Sequence, residues 1–227
     1  ASGIVASKAK FESLMSEKGI SSDDVIVVYG KYSGQWDPAW VARLWWTLEY
    51  YGHEEVGFLD GGVEAWKAKG LETTGSKPEI TPATYTAKAP NASLRATGDY
   101  VLANLNNPNV VIHDDRDIKE YTGDKKMGGA ERGGHIPGAV FLNWRDVLNP
   151  DYTFKSEAEL KSMYEAIGVT PDKEIIIYCQ GGVRVSHTLL VLKEILGYPN
   201  VRNYDGSWDE WANVKNSDGT YKYPVEK

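Results

Sequence analysis

One cysteine occurs in the 227 residues, and its neighbours are those of a nucleophile. Cys179 follows the β-branched run Ile175-Ile176-Ile177-Tyr178. It precedes Gln180-Gly181-Gly182-Val183-Arg184-Val185-Ser186, and then Val185, Leu189, Leu192, Ile195 and Leu196 recur at helical spacing. The order is strand, glycine-rich loop, helix N-terminus. In open α/β sheets ligands bind beyond the carboxyl ends of the strands. Gly181 and Gly182 let the loop curl so that successive N–H groups converge on an anion. The helix N-terminus adds positive potential, and Arg184 adds a full charge. Together they favour the thiolate at Cys179 and make it a candidate nucleophile. The competing reading is an inert buried thiol, the usual fate of a lone cysteine. The Gly-Gly pair and the arginine at this spacing weigh against it.

Four residues separate Cys179 from Arg184. Cysteine phosphatases use one more, which makes a ring wide enough for a tetrahedral phosphate. The shorter loop suits a single extra sulfur atom on Cys179, a persulfide, better than a phosphoester. Gln180, Gly181, Gly182, Val183 and Arg184 are therefore the candidate substrate-binding loop. Arg116, in the Asp114-Asp115-Arg116 turn after the run 110–113, is a further candidate anion contact. A strand-end salt bridge between Asp114 and Arg116 is the plainer alternative. His135 sits in a tight Gly-His-Ile-Pro-Gly turn and reads as structural. His187, in the first turn after the loop, reads as a packed or capping histidine. Lys125, Lys126 and Arg132 flank a glycine-rich stretch and read as a solvated face. Asp205 and Trp208 follow a strand end and either line a cleft or build a turn. Tyr32 and Trp36 are candidates to cap that cleft from the first half of the chain.

These residues need elements to hold them, and self-comparison finds the same elements twice. Gly19-Ile20-Ser21-Ser22-Asp23-Asp24-Val25-Ile26-Val27-Val28-Tyr29 lies on Gly168-Val169-Thr170-Pro171-Asp172-Lys173-Glu174-Ile175-Ile176-Ile177-Tyr178 at an offset of 149. Residues 51–66 lie on 196–211 at an offset of 145, sharing Gly, Val, Asp, Gly and Trp. Each copy reads helix, strand, loop, helix, strand, Asp-Gly turn, helix. The short runs 25–28 and 174–177 have apolar neighbours throughout and are expected to be fully buried strands of a parallel sheet. Gly30 stands where Cys179 would be, so the first copy keeps the scaffold without the nucleophile.

The second copy has a leader, a helix over 98–106 and a strand over 110–113, that the first lacks. The expectation is that the first domain lacks its N-terminal strands in this chain, with a separate N-terminal fragment as a possible partner completing it. Ala1-Ser2-Gly3 has no initiator Met and no basic or apolar leader, and reads as a cleavage product or an expression scar. The expected organisation is a partial, inactive domain over 1–73, a linker over 74–94 rich in Thr, Ser, Ala and Pro, and a catalytic domain over 95–227.

Composition excludes several classes. Lys and Arg number 25 against 32 Asp and Glu, a net charge of −7, which argues against nonspecific nucleic-acid binding. No apolar run approaches the ~18 residues of a membrane span. One cysteine permits no internal disulfide and no Cys-rich zinc site. No phosphate-binding P-loop or dinucleotide glycine pattern is present, and no cofactor is expected.

The motifs in combination resemble the tandem-domain rhodaneses, the thiosulfate sulfurtransferases. The second half carries Asp114-x-Arg116, Gly134-His135-Ile136-Pro137-Gly138-Ala139, Cys179-x-x-Gly182-x-Arg184, Tyr204-Asp205-Gly206-Ser207-Trp208 and the ending Pro224-Val225-Glu226-Lys227. The first half carries Leu59-Asp60-Gly61-Gly62 with Trp66. The resemblance covers nearly the whole chain. It implies an α/β fold of two rhodanese-like domains, each a parallel sheet flanked by helices. It also implies a double displacement, in which Cys179 takes the outer sulfur of thiosulfate, a small anionic donor, and passes it to cyanide or a thiol. The N–H groups of 180–186 would then stabilise the persulfide and Arg184 would hold the dianionic donor.

Two departures bear on the donor. Gln180 stands where thiosulfate-using relatives often have Arg. Glu120 stands where mercaptopyruvate-using relatives tend to place Arg. Glu120, and Val183 followed by Arg184, favour thiosulfate over 3-mercaptopyruvate. The alternatives are a 3-mercaptopyruvate sulfurtransferase, a persulfide carrier or regulatory module, and a small cysteine phosphatase or arsenate reductase. The expected location is cytoplasmic, with the periplasm as the alternative.

Overall fold

A computed structural model describes residues 4–227; Ala1-Ser2-Gly3, read above as a cleavage product or scar, lie outside the described residues. The chain divides into an N-terminal unit, Val5–Ala92 with Leu148–Phe154, and a C-terminal unit built from Ser93–Val147 and Lys155–Lys227.

In the N-terminal unit α1 (Lys8–Glu17) starts at Ser7, whose hydroxyl accepts the Lys10 N–H. β1 (Ile26–Val28), α2 (Asp37–Tyr50), β2 (Val56–Phe58) and α3 (Gly62–Ala68) follow. β1 and β2 pair in parallel, Ile26 opposite Val56 and Val28 opposite Phe58. α2 opens with Pro38 in its first turn, where the missing N–H costs nothing. It buries Ala39, Ala42, Trp45, Trp46 and Leu48. The expectation that 25–28 is fully buried fails here. Val28 is buried, but Val25 is 73% and Val27 55% exposed. Alternate side chains of a strand point to opposite faces. β1 has a single strand partner among the described residues, so an apolar neighbour in sequence does not guarantee a neighbour in space. Tyr32 is buried within this unit, edge-on to Tyr152 at 5.8 Å. The second half of the 74–94 stretch lies along this unit. Ala83 N–H donates to Ser16 O, Ala87 N–H to Glu12 Oε1 and Lys88 N–H to Tyr51 O.

The C-terminal unit runs β3 (Arg95–Ala96), α4 (Gly98–Ala103), β4 (Val110–Asp114), α5 (Ile118–Tyr121), β5 (Val140–Phe141), α6 (Glu157–Ala166), β6 (Glu174–Tyr178), α7 (Arg184–Leu190), β7 (Val201–Tyr204) and α8 (Ser207–Trp211). Its five strands are parallel, in the order β3-β7-β6-β4-β5. β6 is central. Ile175, Ile176, Ile177 and Tyr178 show no exposure, and each such aliphatic side chain contributes about 1.5–3 kcal/mol of burial. The strand is therefore the most firmly seated element of the sheet, and Cys179 is the first residue beyond it. β4 is in register beside it, Asp114 opposite Tyr178, which brings the 114–116 turn alongside the start of the cysteine loop. β7 lies on the other flank, Ile177 opposite Asn203, which delivers the 205–209 turn from that side.

Candidate active site

Cys179 Sγ accepts the N–H of Gly182 at 3.1 Å. That bond requires the loop to double back within three residues, and Gly182 does so at φ +83°. A Cβ there would sit 2.6 Å from Asp205 O, so the position excludes a side chain on two counts, conformation and space. Of the N–H groups 180–186 expected to face the sulfur, Gly182 makes the contact, while the Ser186 N–H donates to Val183 O at 3.1 Å. The helix begins there, and its first turn claims that donor.

The 205–209 turn straps the loop from below. Cys179 N–H donates to Ser207 Oγ at 3.2 Å, and the Ser207 hydroxyl donates in turn to Tyr204 O at 2.8 Å. Trp208 N–H donates to Cys179 O at 3.0 Å, and Asp209 N–H to Gln180 O at 2.8 Å. Ser207 adopts φ +49°, a left-handed conformation that costs a non-glycine residue free energy. The strap holds it there. The Gln180 side chain is fixed by its Nε2 donating to Asp209 Oδ1 at 2.7 Å. Cys179 is 1% exposed, whereas Gln180, Gly181, Val183 and Asp209 are only partly buried. Those four residues are the partly exposed part of the loop and the turn that holds it.

Arg184 opens α7 and is 3% exposed. Its Nη1 and Nη2 donate to the two carboxylate oxygens of Glu120 on α5, at 2.8 and 2.9 Å. Burial alone would lower its pKa. The Glu120 hydrogen bonds and the charges of Cys179, Glu120 and Asp115 more than offset that, so the guanidinium stays charged. Arg184 thus lies within electrostatic reach of the sulfur, yet its fork is occupied by Glu120 and not presented to a donor. Asp115 is the third group of this cluster. It is fully buried, with Oδ2 accepting from Thr188 Oγ1 at 3.0 Å. Burial pushes its carboxyl well above the usual range and Asp114 adds to the rise, while Arg184 pulls the other way.

Arg116 is 1% exposed. Its Nε and Nη2 donate to Asp114, and Nη2 also to Gly134 O at 2.7 Å. The guanidinium lies 4.5 Å from the Trp208 ring centre. Tyr178 Oη completes the set by donating to Asp114 Oδ2 at 2.6 Å. Arg116 thus makes the strand-end ion pair, with Asp114 two residues away and already in the dry interior.

The remaining candidates sort as follows. His135 stacks on Tyr121 at 3.8 Å. His187 is buried edge-on to Trp144, and burial holds its pKa down at about 3, so its ring is neutral. Arg132 donates to the carbonyls of Trp211, Ala212 and Tyr223 and so caps the end of α8. Asp205 is buried, 3.5 Å from Arg95. Trp208 is buried, with Nε1 donating to Arg132 O. Among the described residues no three His, Cys, Asp or Glu gather as a metal-binding group, and no helix is long and apolar enough to cross a membrane. Sequence reasoning missed the roles of Glu120, Ser207 and Asp209. Only Glu120 left a signal, a charged residue three positions after Asp117 in a capping-box pattern.

A parallel α/β unit with a cysteine loop at the end of its central strand defines a class, and the comparisons agree. The family model described as the Rhodanese-like domain matches residues 4–69 and 97–214. The chain belongs to that family. It is 40% identical over 217 residues to "Sulfur carrier protein TtuD" of Thermus thermophilus, covering 92% of this chain and 75% of that protein. It is likewise 40% identical over 212 residues to "Thiosulfate sulfurtransferase" of Corynebacterium glutamicum, covering 90% of this chain and 68% of that protein. Among solved structures it is similar to the anaerobic ergothioneine biosynthesis enzyme of Chlorobium limicola in complex with trimethyl histidine. The TM-score is 0.83 at 24% identity, covering 97% of this chain and 56% of that one. The chain thus spans little more than half the length of that structural neighbour, and the likeness speaks for the fold.

Proposed function

We propose that the chain is a sulfurtransferase that carries one sulfur atom as a persulfide on Cys179. The observation behind this reading is the Gly182 N–H at 3.1 Å from Sγ, at the mouth of a loop too short for phosphate. Thiosulfate is the donor the loop length and the relatives' names suggest. The Cys179 thiolate attacks the outer sulfur of thiosulfate. A new S–S bond forms, the old one breaks, and sulfite leaves with the bonding electrons. The terminal persulfide sulfur carries the negative charge, and Gly182 N–H with the nearby Arg184 charge stabilises it. Cyanide or a thiolate then attacks that sulfur, and the Cys179 thiolate is the leaving group. No proton need move in either half when thiolate and cyanide are the reactants, which suits a site where the histidine of the helix after the loop, His187, is buried and neutral.

A carrier reading is favoured by one specific observation, the 40% identity to a protein named as a sulfur carrier. The two share the loading step and differ in the second. The test is incubation with thiosulfate followed by intact mass, then thiocyanate formation on adding cyanide. A gain of one sulfur that is lost with cyanide, and absent in Cys179→Ser, supports a turning-over enzyme. Loading without discharge to cyanide or small thiols supports the carrier. Loading retained in Cys179→Ser overturns both.

A further inference from the structure

We infer that the side-chain carbonyl of Gln180 receives the sulfur acceptor, selecting thiols that carry an N–H close to their sulfur over thiols that carry none. The inference rests on the persulfide reading and deepens it by naming the acceptor class; thiosulfate stays the donor. Gln180 directly follows the nucleophile, and its side-chain amide has one orientation open to it. Nε2 donates to Asp209 Oδ1 at 2.7 Å. Oδ1 accepts there, so the amide cannot be turned end for end without setting two acceptors against each other. Asp209 is itself held in place, its N–H donating to Gln180 O at 2.8 Å. Oε1 is left as the free end of the amide. It is buried and, among the described residues, accepts no hydrogen bond. A buried acceptor without a donor is costly, and the loop keeps one on the residue next to the nucleophile.

Thiosulfate and cyanide carry no hydrogen and cannot fill it. The group that can is an amide or ammonium N–H a carbon or two from the sulfur of an acceptor thiol, as in a cysteine residue or cysteamine. Cys179 is itself only 1% exposed. Sγ and Oε1 are closed over in adjacent residues, so a thiol that enters to reach one uncovers the other. In the transfer, the acceptor thiolate attacks the outer sulfur of the persulfide. A new S–S bond forms, the bond to Sγ breaks, and Cys179 leaves as the thiolate with the bonding electrons. The N–H of the acceptor stays where it is and donates to Oε1, so it orients the thiol without entering the balance.

The probes are N-acetylcysteamine and mercaptoethyl acetate, two uncharged thiols that differ in an amide N–H against an ester oxygen. Protein loaded from thiosulfate, with the gain of sulfur checked by intact mass, is mixed with each thiol, and the rate at which the extra sulfur is lost is measured. The same pair is run against a small-molecule persulfide in solution, which fixes their intrinsic difference. In the native protein the amide-to-ester rate ratio should exceed the solution ratio about tenfold, and in Gln180→Met it should fall to the solution ratio. A mere packing fault in the variant would slow both thiols alike and leave the ratio where it was. A native ratio equal to the solution ratio overturns the inference without any variant. So does a folded Gln180→Met that keeps the native ratio, or a loaded protein that yields its sulfur to neither thiol. If thiosulfate adds no sulfur to Cys179 at all, it is the persulfide reading that falls, and this inference with it.

Discussion

Glu120→Gln is the perturbation with the most to say about how the loop is held. Removing one member of a buried ion pair ordinarily costs about 3–5 kcal/mol, because the other charge is left in the interior. Here Arg184 has a second carboxyl close by. Asp115 is fully buried, within electrostatic reach of Arg184, and its pKa is raised well above the usual range, chiefly by burial. When Glu120 is neutralised, Arg184 loses its partner and its pull on Asp115 is no longer shared. Asp115 is then the buried carboxyl that remains within electrostatic reach of the guanidinium and takes over as its partner. The cost of Glu120→Gln should therefore be smaller, about 2 kcal/mol.

Asp115→Asn alone should cost under about 1 kcal/mol, since Arg184 keeps Glu120 and an amide oxygen can still accept from Thr188 Oγ1. The double variant has no carboxylate left for Arg184 and should fall by about 4–5 kcal/mol, well beyond the sum of the singles, a coupling of more than 1 kcal/mol. Urea unfolding at neutral pH reads all four species, with the midpoint giving stability and the slope checking that cooperativity persists. Additive costs would refute the reasoning, because they would mean that Asp115 never substitutes for Glu120.

Two further outcomes are expected. Gly182→Ala must place a Cβ 2.6 Å from Asp205 O at φ +83°, so it should lower stability by about 1–3 kcal/mol. It should also lower Cys179 loading at least tenfold in the fraction that remains folded; wild-type loading in a folded variant would show that the Gly182 contact does not matter. The second outcome concerns pH. His187 is held down from 6.5 to about 3 by burial, so the unfolded chain takes up a proton that the native state refuses. The stability this contributes is fully present above pH 6.5 and is lost as pH falls toward 3. His187→Gln should flatten that acid limb in unfolding experiments, and an unchanged limb would contradict it.

What was legible in the sequence was local chemistry. Ile175-Ile176-Ile177-Tyr178-Cys179-Gln180-Gly181-Gly182 specifies its own strand and its own turn, because β-branched residues favour extended backbone and paired glycines permit the left-handed conformation a tight turn needs. The repeat also showed that β1 and β2 match β6 and β7. Burial was not legible, because it depends on partners. Residues 25–28 and 174–177 look alike as strings, yet β6 has neighbours on both edges and β1 on one. Pairing across distance was equally hidden. Arg184 reads as a substrate clamp until α5 brings Glu120 against it from 64 residues away. Ser207 is a separate case. Nothing in its type announces a left-handed conformation, which the surrounding turn imposes. The helix expected over 98–106 stops at Ala103, where Asn104 N–H turns back to Val101 O.

The strap beneath the loop grips it by main-chain atoms, Trp208 N–H on Cys179 O and Asp209 N–H on Gln180 O. Main-chain hydrogen bonds of this kind are indifferent to which side chain each residue bears. Shape and side-chain chemistry are thus governed separately in this protein: residues 180 and 209 can be exchanged while the main-chain posture of the loop is left alone. A scaffold organised this way keeps its cysteine in place through single replacements at the loop's side chains.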